Sequence, residues 1–431
     1  MVPSFSAGQV PLPQSSSSQT TSLLFDSPSS SLALLHSDTS ISLYPSLSPS
    51  SLSSSSLSFP QTFISSPTSS AAFLPLLNPT NRRLLFLVIS PSHSPSSLLL
   101  RFWLLKPCNN RFVRAHVECN HHLLNYDNVK SGVVFGVSHG ASVKVAAMSN
   151  VFVLYCVSSM MVYVFAVRMS GGEESESVKL MKTGVVECCL PVFSVGVSSR
   201  FLVLGEFDGV RVFPMQVLVK GRVKKSSAGR LVNLIDGKVN GDDGSVGGKI
   251  DKHSASTKPR SARLTQDSKE GGACFVSFKE NSDSLNSTEL QMKPVKATNI
   301  EALSPNEFLV MDSAGRIHHL RLSNSVLGSD ISCYINQLPL SIKVQKMSVL
   351  PGISLRAQTF WISDGQHTVH AISFSNSDTS INGGNRKDED IMQISVTSAI
   401  FSSETIQQIV PSASNAILIL GQGSIFAYTI S

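Results

Sequence analysis

The chain has 431 residues, with 35 lysines and arginines against 29 aspartates and glutamates, and a formal net charge of +6. Hydrophobic residues make up 42% of the composition and charged residues 15%, so there is enough apolar material for a core. This balance excludes collagen, a coiled coil and a chain that is disordered throughout.

Residues 1–110 form a leader rich in serine and proline. The first 80 residues contain no lysine or arginine and only two acidic residues, Asp26 and Asp38. Serine and proline bury little apolar surface, so this composition predicts a disordered segment. Three explanations stay open: a simple disordered tail, a plastid transit peptide that lacks the usual early arginines, or an artefact of a wrong start site.

An uncharged run of 17 residues follows at Val151–Val167. It falls just short of the length that a membrane-spanning helix needs. Its valines and aromatic residues, with Ser158 and Ser159 near the middle, favour two strands joined by a turn. Membrane association is therefore not expected, although a membrane-attached protein using this run remains an alternative.

Four later stretches share one pattern: a short apolar run, a turn that contains glycine, and a second run with alternating polarity. Glycine and Asp-Gly supply the positive φ that tight hairpins require. The predicted turn residues are Asp208, Gly209, Asp312, Gly315, Asp364, Gly365, Gly421 and Gly423. A strand-like stretch precedes each hairpin. Each repeat unit is therefore predicted to contain three or four antiparallel strands.

A large apolar residue recurs in the second strand of each hairpin, and Val151–Val167 supplies a degenerate first copy. These candidate blade-core residues are Phe165, Phe213, Leu320, Ile372 and Tyr428, with spacings of 48, 107, 52 and 56 residues. Periods near 50 residues indicate a propeller or a repeat array. The long spacing contains an insertion.

The segment Leu204–Phe213 resembles the blade hairpin of WD40-type β-propellers, and Leu309–Ile317 is the next closest match. The Trp-Asp and Gly-His pairs of that family are absent. The end of the chain also resembles uncharacterised plant proteins described as transducin-like or WD40-repeat-like. The resemblance implies an all-β, WD40-like β-propeller or partial propeller with about five recognisable, degenerate blades.

The expected organisation is a disordered leader at 1–110, first blades at 111–219, a flexible basic loop at 220–295 and the remaining blades at 296–431. Lys220–Lys296 carries 15 basic and 9 acidic residues, and a strand is expected there only at Ala273–Phe278. Its two basic clusters, Lys220–Lys225 and Lys258–Arg263, are typical of a nuclear-localisation or phosphate-binding patch, with Ser261 as a candidate phosphosite. The other interpretation is a solvated loop with scattered charge. Nucleic-acid binding is not expected, because aromatic residues that could stack on bases are nearly absent.

Gly136–Gly140 matches G-x-S-x-G, the nucleophile elbow of α/β-hydrolases. That elbow needs a strand before Ser138 and a helix after it. The residues that follow alternate as a strand does, so a hairpin turn is favoured. A serine hydrolase using Ser138 is kept as an alternative function.

The densest group of metal-capable side chains is His116, Cys119, His121 and His122. A zinc site needs a second ligand pair, and the sequence offers none at suitable spacing. No metal, cofactor or catalytic residue is therefore expected. Seven irregularly spaced cysteines suit a reducing compartment, which favours the cytoplasm or nucleus, with the plastid as the alternative.

The leading functional hypothesis is a non-catalytic protein-interaction scaffold with an unknown protein partner, rather than an enzyme. The hypothesis draws on the resemblance, because propeller rings carry variable loops on a rigid frame. About five blades would leave a ring with open sheet edges. Unpaired edges invite association, so self-association through them is expected as well.

Overall fold

The computed structural model describes residues 5–12, 18–47, 60–65, 67–77, 82–92, 94, 96–119, 121–138, 142–170, 176–220, 261–267, 272–278, 294–324, 331–350, 358–376 and 392–430. Its strands form seven sheets arranged as the blades of a β-propeller. The structure is therefore all-β, as predicted, with one short helix among the described residues.

The first strand, β1 (Phe5–Pro11), belongs to the last blade. Blade 1 contains β2 (Thr20–Asp26), β3 (Ser31–His36), β4 (Ile41–Tyr44) and β5 (Thr62–Ile64). Blade 2 contains β6 (Ser70–Leu77), β7 (Arg82–Pro91), β8 (Ser97–Lys106), β9 (Arg111–Arg114), β11 (Leu124–Asp127) and β12 (Gly132–Gly136).

Blade 3 contains β10 (Val117–Cys119), β13 (Val143–Met148), β14 (Val151–Cys156), β15 (Met161–Ser170), β16 (Ser177–Glu187) and β20 (Ala262–Thr265). Blade 4 contains β17 (Ser194–Val197), β18 (Phe201–Gly205), β19 (Gly209–Pro214) and β21 (Cys274–Ser277), with helix α1 (Met215–Lys220) after β19. The two short strands β10 and β20 pair with β16 in parallel.

The last three blades have four strands each. Blade 5 contains β22 (Ala297–Ser304), β23 (Glu307–Asp312), β24 (Ile317–Asn324) and β25 (Ile331–Gln337). Blade 6 contains β26 (Lys346–Val349), β27 (Gln358–Ser363), β28 (Thr368–Asn376) and β29 (Met392–Phe401). Blade 7 contains β30 (Gln408–Ala413), β31 (Ala416–Leu420), β32 (Ser424–Ile430) and β1.

The ring is closed by its two ends. Strand β1 pairs antiparallel with β32, from Phe5 opposite Ile430 to Pro11 opposite Ser424. The innermost strands β2, β6, β13, β17, β22, β26 and β30 contact one another in turn around the ring. The expectation of about five blades is thus corrected to seven. The expected self-association through open ring edges loses its basis, since closure removes those edges.

The core lies between the blades. The described residues form seven buried apolar clusters, one at each interface between neighbouring blades. Each sheet is covered on both faces, so its inner strands are continuous apolar runs rather than alternating ones. In β7, for example, the residues from Leu84 to Ser90 are all buried.

The prediction of a disordered leader at 1–110 is wrong for the described residues of this segment, which form strands. The strands β2 to β5 form blade 1, the strands β6, β7 and β8 form the inner part of blade 2, and β1 completes blade 7. These strands contain leucines that are fully buried, such as Leu23, Leu32 and Leu43, each of them next to a serine. Burial of those leucines between blades offsets the ordering entropy, which an average over composition does not reveal.

The insertion contains two strands where one was expected. The predicted strand at 273–278 is present as β21 and forms the outer edge of blade 4. The unpredicted strand β20 lies beside β16 of blade 3. Residues 221–260, which include most of both basic clusters, lie outside the described residues.

The run Val151–Val167 forms strands β14 and β15, joined by a turn at 157–160. This confirms the prediction of two strands with a turn near Ser158 and Ser159. Within the described ranges, no helix has the length and apolar character needed to cross a bilayer.

Candidate interaction face

One face of the ring collects two kinds of loop. In each blade the second and third strands are joined by a turn, and a linker leads from the outer edge to the innermost strand of the next blade. Since neighbouring strands run in opposite directions, both kinds of loop end on the same side. We call this side the turn face. All eight predicted turn residues lie in or directly beside its turns.

The residue that takes a positive φ differs between these turns. Gly315 and Gly365 adopt positive φ values of 83° and 75°. In the turn of blade 4 it is Asp208 that takes the positive φ, 54°, whereas Gly209 begins β19. A Cβ atom on Gly209 would lie 2.3 Å from the carbonyl oxygen of Val276, so close packing requires glycine there.

Four of the five candidate blade-core residues are fully buried between blades: Phe165, Phe213, Leu320 and Ile372. The fifth, Tyr428, is only half-buried. In blade 7 the buried aromatic residue is Phe426, two positions earlier on the same side of β32. The repeat spacing therefore pointed to a residue two positions after the aromatic residue that is buried.

The turns of blades 4, 5 and 6 are each fastened to the linker that leads to the next blade. The amide of Asp208 donates to the carbonyl of Val295 at 2.7 Å, and Oδ1 of Asp208 accepts from the amide of Val295 at 2.9 Å. Phe207 and Lys296 form a β-bridge beside these bonds. Equivalent bonds join Val344 to Gly315 and Ile406 to Gln366. The turn face is therefore continuous across blade boundaries.

Two phenylalanines and a lysine meet on this face, and we call them the Phe207 cluster: Phe193, Phe207 and Lys296. The two rings lie edge to face with centroids 4.6 Å apart. The ammonium of Lys296 lies 5.1 Å from the centre of Phe193 and 5.8 Å from that of Phe207. Phe207 is 39% exposed, and Leu190, three residues before Phe193, is 46% exposed.

A charged network lies directly below Phe207. Glu206 is buried, and its two carboxylate oxygens accept from Nε and Nη2 of Arg211 at 2.7 and 3.2 Å. Burial alone would lower the pKa of the Arg211 guanidinium, but the hydrogen bonds and charge of Glu206 outweigh burial and raise it. This bidentate pair holds the turn rigidly beneath the exposed ring.

Gln266 joins the insertion to this network. Its Nε2 donates to Glu206 at 2.7 Å, and its Oε1 accepts from the amides of Cys189 and Leu190 at 2.8 and 2.7 Å. The side chain of Gln266 is fully buried. Gln266 is not among the residues predicted from the sequence, because a single glutamine in a polar loop gives no local signal that its side chain will be buried. Phe207 carried a usable signal, because it is a large apolar residue inside a turn.

The axis of the ring contains a polar cavity of about 480 Å³, bordered by the innermost strands of blades 5, 6, 7 and 1. Among its polar lining residues are Thr21, Ser22, Asn299, Glu301, Lys346 and Gln408. Burial raises the pKa of Glu301 to about 7, although a hydrogen bond with Asn299 acts in the opposite direction. Glu301 is thus a proton-binding group near neutral pH.

The elbow required for the serine-hydrolase alternative is not formed. Ser138 is exposed just after β12, and the next described element is the strand β13 rather than a helix. A helix after the serine is what places a nucleophile beside backbone donors. The hydrolase alternative therefore has no structural support.

The candidate metal group is dispersed. The ring of His116 faces Tyr126 with centroids 4.6 Å apart, and His121 stacks on His122 at 4.2 Å. Cys119 is half-buried at the end of β10. Across the described ranges, no three His, Cys, Asp or Glu side chains are grouped so as to hold a metal ion.

No protein-family model and no curated protein sequence matches the chain. Among solved structures, the β-propeller domain of Myceliophteria thermophila Cps50 (Swd1) is similar, with 8% identity, a TM-score of 0.48 and coverage of 98% of this chain and 100% of that one. The Nup133 β-propeller domain of Vanderwaltozyma polyspora has 10% identity, a TM-score of 0.47 and coverage of 100% and 98%.

The WD40 domain of SCAP from fission yeast is also similar, with 10% identity, a TM-score of 0.42 and coverage of 99% of this chain and 87% of that one. These are similarities of fold at low sequence identity. The assignment of seven blades depends on the strand pairing of this chain itself.

Proposed function

We propose that this chain is a non-catalytic scaffold that binds protein partners through its turn face. The observation that carries the proposal is the Phe207 cluster, an exposed aromatic ring held on a turn that is bonded to the neighbouring blade. An aromatic side chain on a fixed backbone loses little conformational entropy when a partner covers it. Binding energy at protein interfaces concentrates on such anchors.

The positive charge of Lys296 indicates the chemistry of the partner segment. Lys296 presents an ammonium group beside two aromatic rings, and the chain as a whole carries +6. A segment that combines an apolar side chain with a nearby carboxylate would satisfy the ring and the ammonium together. We propose an acidic segment with an apolar anchor as the class of partner.

The test is affinity purification with the full chain, comparing wild type, Phe207→Ser and Lys296→Glu by quantitative mass spectrometry. Phe63→Ser is the matched control, because Phe63 is 60% exposed on β5 at the outer edge of blade 1. We expect a set of proteins retained by wild type and Phe63→Ser but reduced about tenfold or more by both turn-face variants. Equal recovery with all four chains would refute binding at the Phe207 cluster.

We also propose the cytoplasm or nucleus as the compartment, with the plastid as the alternative. Support comes from the seven irregularly spaced cysteines, all of them free thiols. Imaging of a fluorescent fusion placed after residue 431 distinguishes these compartments without altering β1.

A further inference from the structure

We propose that Cys274 and Cys333 form an oxidisable pair that closes a reversible disulfide between blades 4 and 5. Their sulfur atoms lie 2.8 Å apart. Both thiols are free and only half-buried, so a small oxidant can approach them. A modification site at this blade junction is independent of the function proposed above.

The position of each cysteine makes the approach of the sulfurs a consequence of the fold. Cys274 lies on β21 opposite Val212, and Cys333 lies on β25 opposite Leu322. The strands β21 and β25 are the outermost strands of adjacent blades and contact each other. Both thiols border the apolar cluster that fills the space between those blades.

The surroundings of the two thiols shift their pKa values in opposite directions. The hydrogen bond shared with Cys333, in which either sulfur can donate, lowers the pKa of Cys274, although burial opposes the change, and the charge of Arg211 lowers it further. The guanidinium of Arg211 lies 5.3 Å from the ring centre of Phe275, the residue next to Cys274. The pKa of Cys333 is raised by the same hydrogen bond and by burial. Cys274 is therefore the attacking thiolate and Cys333 the resolving thiol.

Hydrogen peroxide is the oxidant that the proposal requires. The thiolate of Cys274 attacks one peroxide oxygen, the O–O bond breaks, and the departing hydroxide takes up a proton as water. The sulfenic acid on Cys274 is then attacked by the sulfur of Cys333, which loses its proton as the S–S bond forms and a second water departs. Two thiols are oxidised by two electrons, and one peroxide is reduced to two waters.

The bridge would fasten β21, the strand that the insertion contributes to blade 4. Strand β21 pairs with β19 over only four residues, from Gly209 opposite Ser277 to Val212 opposite Cys274. Directly after β21, the amide of Phe278 donates to the carbonyl of Asp208 at 2.9 Å, and the ring of Phe278 stacks on His318 of blade 5. A covalent bond to β25 therefore holds β21 in blade 4 and slows its local opening.

The test treats the full chain with hydrogen peroxide, blocks remaining thiols with an alkylating agent and maps peptides without reduction. We expect one linked peptide that contains Cys274 and Cys333, about 2 Da lighter than the two free peptides together and released by reductant. Amide exchange at residues 274–277 should slow about tenfold on oxidation and recover on reduction. Linkage of either cysteine to another thiol, or its oxidation to sulfinic acid, would overturn the proposal.

Single-cysteine variants provide a second test of the linkage. Cys274→Ser and Cys333→Ser should each abolish the linked peptide and leave the other thiol open to alkylation. Cys189→Ser is the control, because Cys189 is exposed and lies in the linker between β16 and β17, outside the strands that carry the other two cysteines. Full alkylation of both wild-type thiols at a peroxide dose that oxidises Cys189 would also contradict the proposal. Since peptide mapping of the wild type is decisive, a variant that fails to fold leaves the test intact.

Discussion

Oδ2 of Asp312 accepts a hydrogen bond from Nε2 of His318 at 3.1 Å, across the hairpin of blade 5. The same carboxylate accepts from the amides of Ala314 and Arg316 at 2.8 and 3.0 Å and from Nε of Arg316 at 2.8 Å. The ring of His318 in turn stacks on Phe278, with centroids 4.2 Å apart. One buried carboxylate thus holds the turn, the following strand and the edge of blade 4 in place.

Replacing Asp312 with alanine should destabilise the protein by about 2–4 kcal/mol, since it removes four hydrogen bonds to a buried carboxylate and leaves the buried ring of His318 without its acceptor. Urea unfolding measures this change. Asp364→Ala is the matched control: Asp364 accepts from the amides of Gln366 and Thr368 but is more exposed, so its loss should cost about 1 kcal/mol. Equal losses for the two variants would contradict the role assigned to Asp312.

Asp312 should also contribute to acid sensitivity. Burial alone would raise its pKa, but the hydrogen bonds outweigh burial and lower the pKa from 3.8 to about 2. Its stabilising contribution is therefore present above pH 3.8 and lost as the pH falls towards 2. Between these values wild type should lose about 2 kcal/mol more stability than Asp312→Asn. Parallel pH profiles for the two proteins would refute this prediction.

Glu301 should have the opposite effect near neutral pH. Its pKa rises from 4.5 to about 7 on folding, so the folded state keeps a proton that the unfolded state releases. The stability of wild type should therefore fall as the pH rises through 4.5 to 7, and Glu301→Gln should remove that decline. Thermal unfolding across this range measures it. Glu118→Gln, at an exposed position, should keep the wild-type profile.

Closure of the ring by β1 gives a fourth prediction. Val10 is fully buried opposite Ile425. Val10→Asp should cost about 3–5 kcal/mol, because it places an unpaired charge in the cluster between blades 7 and 1. The control Ala7→Asp lies on the same strand at an exposed position and should change the free energy of unfolding by about 0.5 kcal/mol or less. If both variants unfold at the wild-type midpoint, β1 is not the closing strand in solution.

Gln266 gives a prediction about the insertion. Gln266→Ala removes three hydrogen bonds to Glu206, Cys189 and Leu190, and should destabilise the protein by about 2–3 kcal/mol. Hydrogen exchange should accelerate at residues 262–265 and 189–190. The neighbouring variant Thr265→Ala, at an exposed position, should leave exchange unchanged. Unaltered exchange in Gln266→Ala would mean that β20 does not depend on this side chain.

The blade hairpins were predictable because their signal is local. Turn residues such as Gly315 and Gly365 need a positive φ wherever the chain folds, and apolar runs flank them at a fixed distance. The predicted strands before and after these turns are present in blades 4 to 7. The residues after Ser138 alternate in polarity and form the strand β13 rather than a helix. The hairpin turn favoured at this position is wrong, however, because β12 and β13 belong to different blades and do not pair.

The leader was misread because composition averages over two kinds of segment. Leu23, Leu32 and Leu43 are fully buried in blade 1, yet serines around them dominate the count. The Phe207 cluster could not be predicted either. Lys296 lies 89 positions after Phe207 and reaches it only because the blade 4 turn bridges to the blade 5 linker.

Local sequence was sufficient to predict the all-β class and the repeated hairpin, because each depends on residues close together in the chain. Tertiary structure alone decided that there are seven blades, that β1 closes the ring on β32, and that Cys274 meets Cys333. These contacts join residues far apart in the chain. They form only when apolar sheet faces pack against one another, and a closed ring covers every such face.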